Sequence, residues 1–149
     1  IFLLSLGNLN QNGLFSKACE YGIRAAIYIA SESLEGNWVG LKDIARKIDS
    51  PEAFTAKILQ NLTGKGIVGS SRGAGGGFFI DKSQMADIKL EQIVQAIDGD
   101  KIYNGCGLGL QECNEDHPCP VHFKFRDIRS GLQQMLAKTS LEELAIGIS

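Results

Sequence analysis

The chain has 149 residues, enough for one domain plus at most a substantial appendage. Its 44% hydrophobic content supports a core, yet no apolar run approaches the ~18 residues of a membrane helix. That pattern predicts a cytoplasmic protein with no membrane partner. The net charge of −2 does not by itself suggest a nucleic-acid binder. Its distribution does: residues 1–80 carry +2, residues 81–149 carry −4, and residues 42–72 carry +3. A locally basic patch on an acidic protein can still neutralise phosphates, although a solvated helix face gives the same count.

In chain order, residues 1–13 open on four apolar residues and continue Gly- and Asn-rich. They lack the basic start of a signal peptide and are expected to be a flexible leader or remnant outside the fold. Phe15 to Ala30 reads as a helix with Lys17, Glu20, Arg24 and Ser31 near one stripe. Leu41–Ile48 is a short amphipathic helix with Leu41, Ile44, Ala45 and Ile48 inward. Asp49-Ser50-Pro51 breaks it, Ser50 being a good N-cap and Pro51 suiting a first helical turn. The next helix spans Pro51–Thr63, with Phe54, Ile58 and Leu62 on its buried side, and Gly64 and Gly66 end it. Two strands, Ile67–Ser71 and Phe78–Asp81, flank a glycine-rich tip, and Leu90–Ile97 is another short helix. A Gly-, Cys- and acid-rich loop runs to His117, and a long helix extends from Pro118 to about Lys138. Ser140-Leu141-Glu142-Glu143 is a capping box opening a last helix.

This order predicts a mainly α protein with a small β wing: a winged helix-turn-helix domain followed by a long C-terminal dimerisation helix. The expected boundaries are 14–98 for the DNA-binding domain, 99–119 for a cysteine-bearing loop and 120–149 for the dimerisation helix and tail. The helix after the turn offers Ser50, Pro51, Glu52 and Ala53 at its start, then outward Thr55, Ala56, Lys57 and Gln60. These short or polar side chains let backbone approach base edges in a major groove. Arg72 and Gly73 at the wing tip, with Lys17, complete the expected contacts to double-stranded DNA. A phosphate-cradling loop is the competing reading of the glycines. No Lys-Ser/Thr follows them, and Phe78-Phe79-Ile80 reads as strand.

Cys106-x6-Cys113-x5-Cys119, with His122 three residues further on, is the second constellation. Thiolates are soft ligands that hold iron or zinc. A Cys3His zinc set is the nearest competitor to an iron–sulfur cluster, and Cys119-x2-His122 has knuckle spacing. Unligated redox thiols remain open. A disulfide fits poorly, because clustered cysteines of odd number leave one unpaired. An enzyme pairing Cys119 with His122 or His117 is a third class, but no pocket-forming motif supports it and none is expected. Cys19, among apolar neighbours, reads as core.

In the long helix, Val121, Phe125, Ile128, Leu132, Met135 and Thr139 alternate steps of four and three, a coiled-coil-like seam. A helix of ~30 Å would overhang a small winged domain, so a partner helix is its better use. A two-fold axis then predicts a palindromic operator.

From about Leu14 to Lys138 the chain resembles the Rrf-type family of bacterial regulators. That family includes the iron–sulfur cluster regulator, the nitric-oxide-sensing repressor and a cysteine-metabolism repressor. The resemblance rests on Ser16-Lys17-Ala18-Cys19-Glu20-Tyr21-Gly22-Ile23-Arg24-Ala25, Ile44-Ala45 and Ser50-Pro51-Glu52-Ala53-Phe54. Arg72-Gly73-Ala74-Gly75-Gly76-Gly77-Phe78 and the cysteine triad complete it. It implies a homodimeric transcription regulator on palindromic promoter DNA, sensing redox state, nitric oxide or iron–sulfur status. Each subunit would hold a cluster, 2Fe–2S ahead of 4Fe–4S, on Cys106, Cys113 and Cys119, and could be purified without it. Either His122 or the partner subunit's Glu20 matches the family's fourth ligand. Ala74 stands where the family usually has Pro, and the gap between Cys106 and Cys113 is one residue longer than its commonest spacing. A bland alternative pairs Glu20 with Arg24 along the helix and leaves His122 on an exposed helix face.

Overall fold

The computed structural model describes residues 14–104, 108 and 115–148. The leader expected at residues 1–13 lies outside the described residues, as do Cys106 and Cys113.

The first helix, α1 (Lys17–Leu34), is the centre of the fold and runs a turn beyond the predicted end. Ser16 caps it, its hydroxyl accepting the Cys19 N–H at 3.0 Å. Its buried face is built from small residues, Cys19, Gly22, Ala25, Ala26 and Ala30, with Ile29. Small side chains let other helices lie close, and α1 meets most of the helices that follow.

Helix α2 (Leu41–Ile48) buries Ile44, Ala45 and Ile48 as predicted. Asp49 ends it in the left-handed region at φ 53°, the one non-glycine residue with positive φ among the described residues. Helix α3 (Glu52–Gly64) follows after two further residues. In α3, Ile58 and Leu62 are buried as predicted, and only the first turn needs correction. The helix's buried positions are Thr55, Ile58, Leu59 and Leu62, a clean i, i+3, i+4, i+7 set. Phe54 is 37% exposed rather than buried, and Thr55 is fully buried rather than outward. The Thr55 hydroxyl donates to the Pro51 carbonyl at 2.9 Å, which lets a polar residue enter the core. Ser50 is not the cap: Pro51 holds that position without a side-chain bond, and the buried Ser50 hydroxyl has no partner among the described residues.

Strands β1 (Gly69–Ser71) and β2 (Gly77–Phe79) form an antiparallel hairpin with Ser70 opposite Phe78. They are shorter than predicted because Ile67, Val68 and Ile80 turn into the core. Val39 adds a rung on the far side of β2, exchanging hydrogen bonds with Phe78 at 3.1 and 2.7 Å.

Helix α4 (Lys82–Met85), which the sequence did not announce, precedes α5 (Leu90–Asp98). A second unannounced turn, α6 (Lys101–Asn104), follows Gly99. Helix α7 (His122–Lys138) starts at His122 rather than Pro118, and α8 (Leu141–Ile148) closes the described chain. The capping box forms as predicted: the Glu143 N–H donates to the Ser140 hydroxyl at 3.1 Å, and the Ser140 N–H donates to the Glu143 carboxylate at 3.3 Å. Between these two helices the chain pairs with the start of α5, through Leu90 N–H to Thr139 carbonyl at 2.9 Å and Leu141 N–H to Ile88 carbonyl at 2.8 Å. The main core lies around α1, α2, α3 and the wing base, and a smaller cluster of Cys19, Leu90, Val94 and Leu136 fixes α7.

Candidate nucleic-acid interface and the cysteine-bearing end

The α2–turn–α3 unit and the wing carry most of the expected DNA contacts. Pro51, Glu52, Ala53, Lys57 and Gln60 are all exposed, the first three at the start of α3. Orphan N–H groups there, with the helix dipole, favour a phosphate. Thr55 leaves the contact set because it is buried, and the Ser50 side chain is withdrawn with it.

At the wing tip Arg72 and Gly73 are exposed, and Gly73 and Gly75 take positive φ of 95° and 78°. The two following glycines are needed for another reason. A Cβ on Gly76 would collide with the Ser71 carbonyl, and one on Gly77 would lie 2.7 Å from the Val39 carbonyl. Close backbone approach fixes the hairpin against the strand-like Val39 segment. Trp38 adds an aromatic brace, stacked on Phe79 at 4.8 Å between centroids.

Helix α1 contributes a cationic edge beside α3. The Tyr21 ring meets Phe54 edge-on at 5.7 Å and carries Lys17 Nζ at 5.0 Å and the Arg24 guanidinium at 5.7 Å. Glu20 pairs with Lys17 at 3.7 Å, while Arg24 donates to the Ile48 carbonyl at 2.8 Å. The expected Glu20–Arg24 pair is therefore replaced by two others. Sequence reasoning named Lys17 but not Tyr21 or Phe54 as its supports. The i, i+4 spacing of Lys17 and Tyr21 was the available signal.

At the other end, Cys119 is half-buried just before α7. The His122 N–H donates to the Cys119 carbonyl at 3.0 Å, so one turn joins the two residues. His122 is 7% exposed and packs edge-on to Phe123, which removes it from the solvent face allowed by the bland reading. His117 is exposed. Among the described residues no three His, Cys, Asp or Glu side chains gather as a metal site; Cys106 and Cys113 fall outside them. The donor types are nonetheless suited to iron or zinc, a half-buried cysteine and a buried histidine one turn apart at the start of α7. Cys19 is core, as predicted, and burial followed by the Asp98 carboxylate pushes its thiol up to about 12.

Along α7, Ile128 and Met135 are 64% and 49% exposed, and Phe123 adds to them. Val121, Phe125 and Leu132 are half-buried, and Leu132 packs into the chain's own smaller cluster. The predicted seam therefore splits into an inward and an outward part.

Residues 15–146 match the Rrf2 family, described as an iron-dependent transcriptional regulator. The chain belongs to the Rrf2 family. An HTH-type transcriptional regulator of Aquifex aeolicus is 29% identical over 133 residues, covering 88% of this chain and 90% of its own. The HTH-type transcriptional regulator IscR of Photorhabdus laumondii is 29% identical over 124 residues, covering 83% and 74%. The solved structure of CymR, the global cysteine regulator of B. subtilis, superposes with TM-score 0.72 at 26% identity, covering 89% of this chain and 96% of that one. T. potens IscR, at 20% identity and TM-score 0.68 with 90% and 87% covered, shares the fold. This Rrf2 chain is thus a winged-helix, DNA-binding transcriptional regulator, and its relatives are regulators rather than enzymes. No helix among the described residues is long and apolar enough to cross a membrane.

Proposed function

We propose that this Rrf2 chain acts as a cytoplasmic homodimer that reads a palindromic operator. Its DNA affinity is set by an iron–sulfur cluster, 2Fe–2S ahead of 4Fe–4S, held by Cys106, Cys113 and Cys119. The carrying observation is the turn that joins half-buried Cys119 to buried His122 at the first residue of α7. Anything held by that turn acts directly on the helix whose apolar face suits pairing. The family description as iron-dependent supports the same reading.

When bound, the cluster supplies soft, redox-active iron, and a corner held by nitrogen or oxygen is the labile one, open to oxygen, nitric oxide or redox change. His122, one backbone turn from Cys119, is the candidate for that ligand in cis. Glu20, half-buried on α1, is its competitor from the partner subunit. DNA contact falls to Pro51, Glu52, Ala53, Lys57 and Gln60 of the recognition helix, to Arg72 and Gly73 of the wing, and to Lys17 beside them. Ile128 and Met135, seven residues apart on one side of α7, form the outward apolar face for the second copy, flanked by Val121, Phe125 and Leu132.

The test is a visible spectrum and metal analysis of anaerobically purified protein, paired with operator binding by fluorescence anisotropy. A coloured, iron-bearing protein that bleaches on loss of any one cysteine, with altered operator affinity, is expected. Colourless protein with one zinc per chain would replace the cluster with the Cys3His zinc reading. A triple Cys→Ala variant binding as anaerobic wild type does, in reduced and oxidised buffer, would end the sensing claim and leave DNA binding standing.

A further inference from the structure

A cleft of about 350 Å³ opens between α6 and α7, lined by Tyr103, Glu115, His122, Arg126, Arg129 and Gln133 among others. Its volume lies at the lower end of small-molecule sites. Two guanidinium groups face one carboxylate, so the lining carries a positive balance. Arg126 meets Glu115 only at 3.8 Å and lies over the Phe123 ring at 4.7 Å. Arg129 Nη1 donates to the Tyr103 carbonyl at a long 3.3 Å, which ties the two helices together.

Arg129 Nε and the Tyr103 hydroxyl are both buried and have no hydrogen-bond partner among the described residues. Folded proteins seldom leave buried donors unanswered, and a pair on residues lining one cleft calls for an explanation. An acceptor-rich, negatively charged group supplies both partners, and a guanidinium edge suits the planar oxygens of a carboxylate or the faces of a phosphate.

We infer that the α6–α7 cleft is an effector site for a small oxyanion, a carboxylate or phosphate group, received by Arg129 and Tyr103 with Arg126 at the mouth. A ligand held there bridges the turn leaving the winged domain and the helix proposed to pair the subunits. It gives the regulator a second input beside the proposed cluster: the two share His122 in the cleft wall, while Arg129 and Tyr103 are not among the proposed cluster ligands.

Isothermal titration of the full-length protein without DNA tests this, with inorganic phosphate in one arm and malonate in the other. Saturable binding of at least one anion at about millimolar concentration or below is expected, and the tighter arm names the headgroup. Tyr103→Phe, which removes one oxygen, and Arg129→Gln should each weaken it by about tenfold. Lys82→Gln, at an exposed position of α4, should leave it unchanged. Circular dichroism confirms that each variant is folded. Two results overturn the site: no saturation by either anion up to about 10 mM, or wild-type affinity in folded Tyr103→Phe and Arg129→Gln. Either result leaves the cluster reading standing, because neither variant alters a proposed cluster ligand.

Discussion

Asp98, the last residue of α5, accepts hydrogen bonds from both the backbone N–H of Ser16, at 2.9 Å, and its hydroxyl, 82 positions earlier. Ser16 in turn caps α1, so a carboxylate stands at the positive end of the central helix. Asp98→Asn keeps the shape and removes the charge. It should lower stability by about 1–2 kcal/mol and Tm by a few degrees. Urea melts of Asp98→Asn, Ser16→Ala and the double variant form a cycle that measures the coupling directly. Strict additivity would mean that the two residues only neighbour each other.

The same carboxylate also acts on Cys19. Burial, and after it the charge of and hydrogen bond to Asp98, raise the thiol from 9.0 to about 12. The folded state therefore holds this proton more tightly than the unfolded chain does. The stabilisation is complete below pH 9.0 and drains away as pH climbs toward about 12. Thermal melts between those limits should fall more steeply for wild type than for Cys19→Ala. Cys19 should also resist iodoacetamide at pH 8.5 until the protein unfolds, and Asp98→Asn should shorten that resistance.

Wing function separates into a side chain and a shape. Arg72→Ala should cost roughly 1–3 kcal/mol of operator binding if Arg72 reaches a base edge. If it meets only phosphate, specific and random DNA should lose affinity alike, with a shallower salt slope. Gly76→Ala drives a methyl into the Ser71 carbonyl and should deform the tip while sparing the core, since Gly76 lies outside both clusters. Anisotropy should show weakened DNA binding with a nearly unchanged melting curve. Full affinity in both variants would take the wing out of recognition.

For assembly, Ile128 and Met135 are the informative pair. Both are exposed within one chain, so Ile128→Glu with Met135→Glu leaves the monomer fold intact. Leu132→Glu would instead damage the cluster with Cys19 and Leu136. The double variant should sediment as monomer at micromolar concentration, because two carboxylates cannot enter an apolar seam without partners. An intact dimer would locate the interface elsewhere.

The helices most legible in the sequence were those with strong periodicity and local punctuation. Ile44, Ala45 and Ile48 fell inward as read, and Ser140 with Glu143 closed the box that their spacing announces. In helix α3, Ile58 and Leu62 fell inward as read, but the first turn buries Thr55 in place of Phe54, which outranks it on any hydrophobicity scale. Thr55 enters the core only because Pro51 offers a carbonyl one turn back, and Phe54 stays near the surface against Tyr21. The Ser50 cap failed for a related reason, the helix opening after Pro51 rather than on it. No local pattern could have revealed Asp98 holding Ser16, or Val39 pairing with Phe78, since both join segments far apart in sequence. The cleft behind Tyr103 was equally silent, being made by a four-residue turn too short to register.

The paired backbone segments at Lys89 and Ser140 anchor the C-terminal end of α7 to the first turn of α5, while Arg129 reaches the Tyr103 carbonyl nearer its middle. A helix fastened to α5 at its end, and nearer its middle to the turn that leaves the domain touching DNA, cannot pivot as a free arm. In a dimer joined through α7, the two recognition helices are then held at one separation and one relative twist. Each base pair inserted between half-sites rotates the second by about 35° around the duplex axis. Operators lengthened by one or two base pairs should therefore lose nearly all specific affinity, and those lengthened by a full turn should not recover it: a dimer joined in this way would work as a caliper with a fixed jaw.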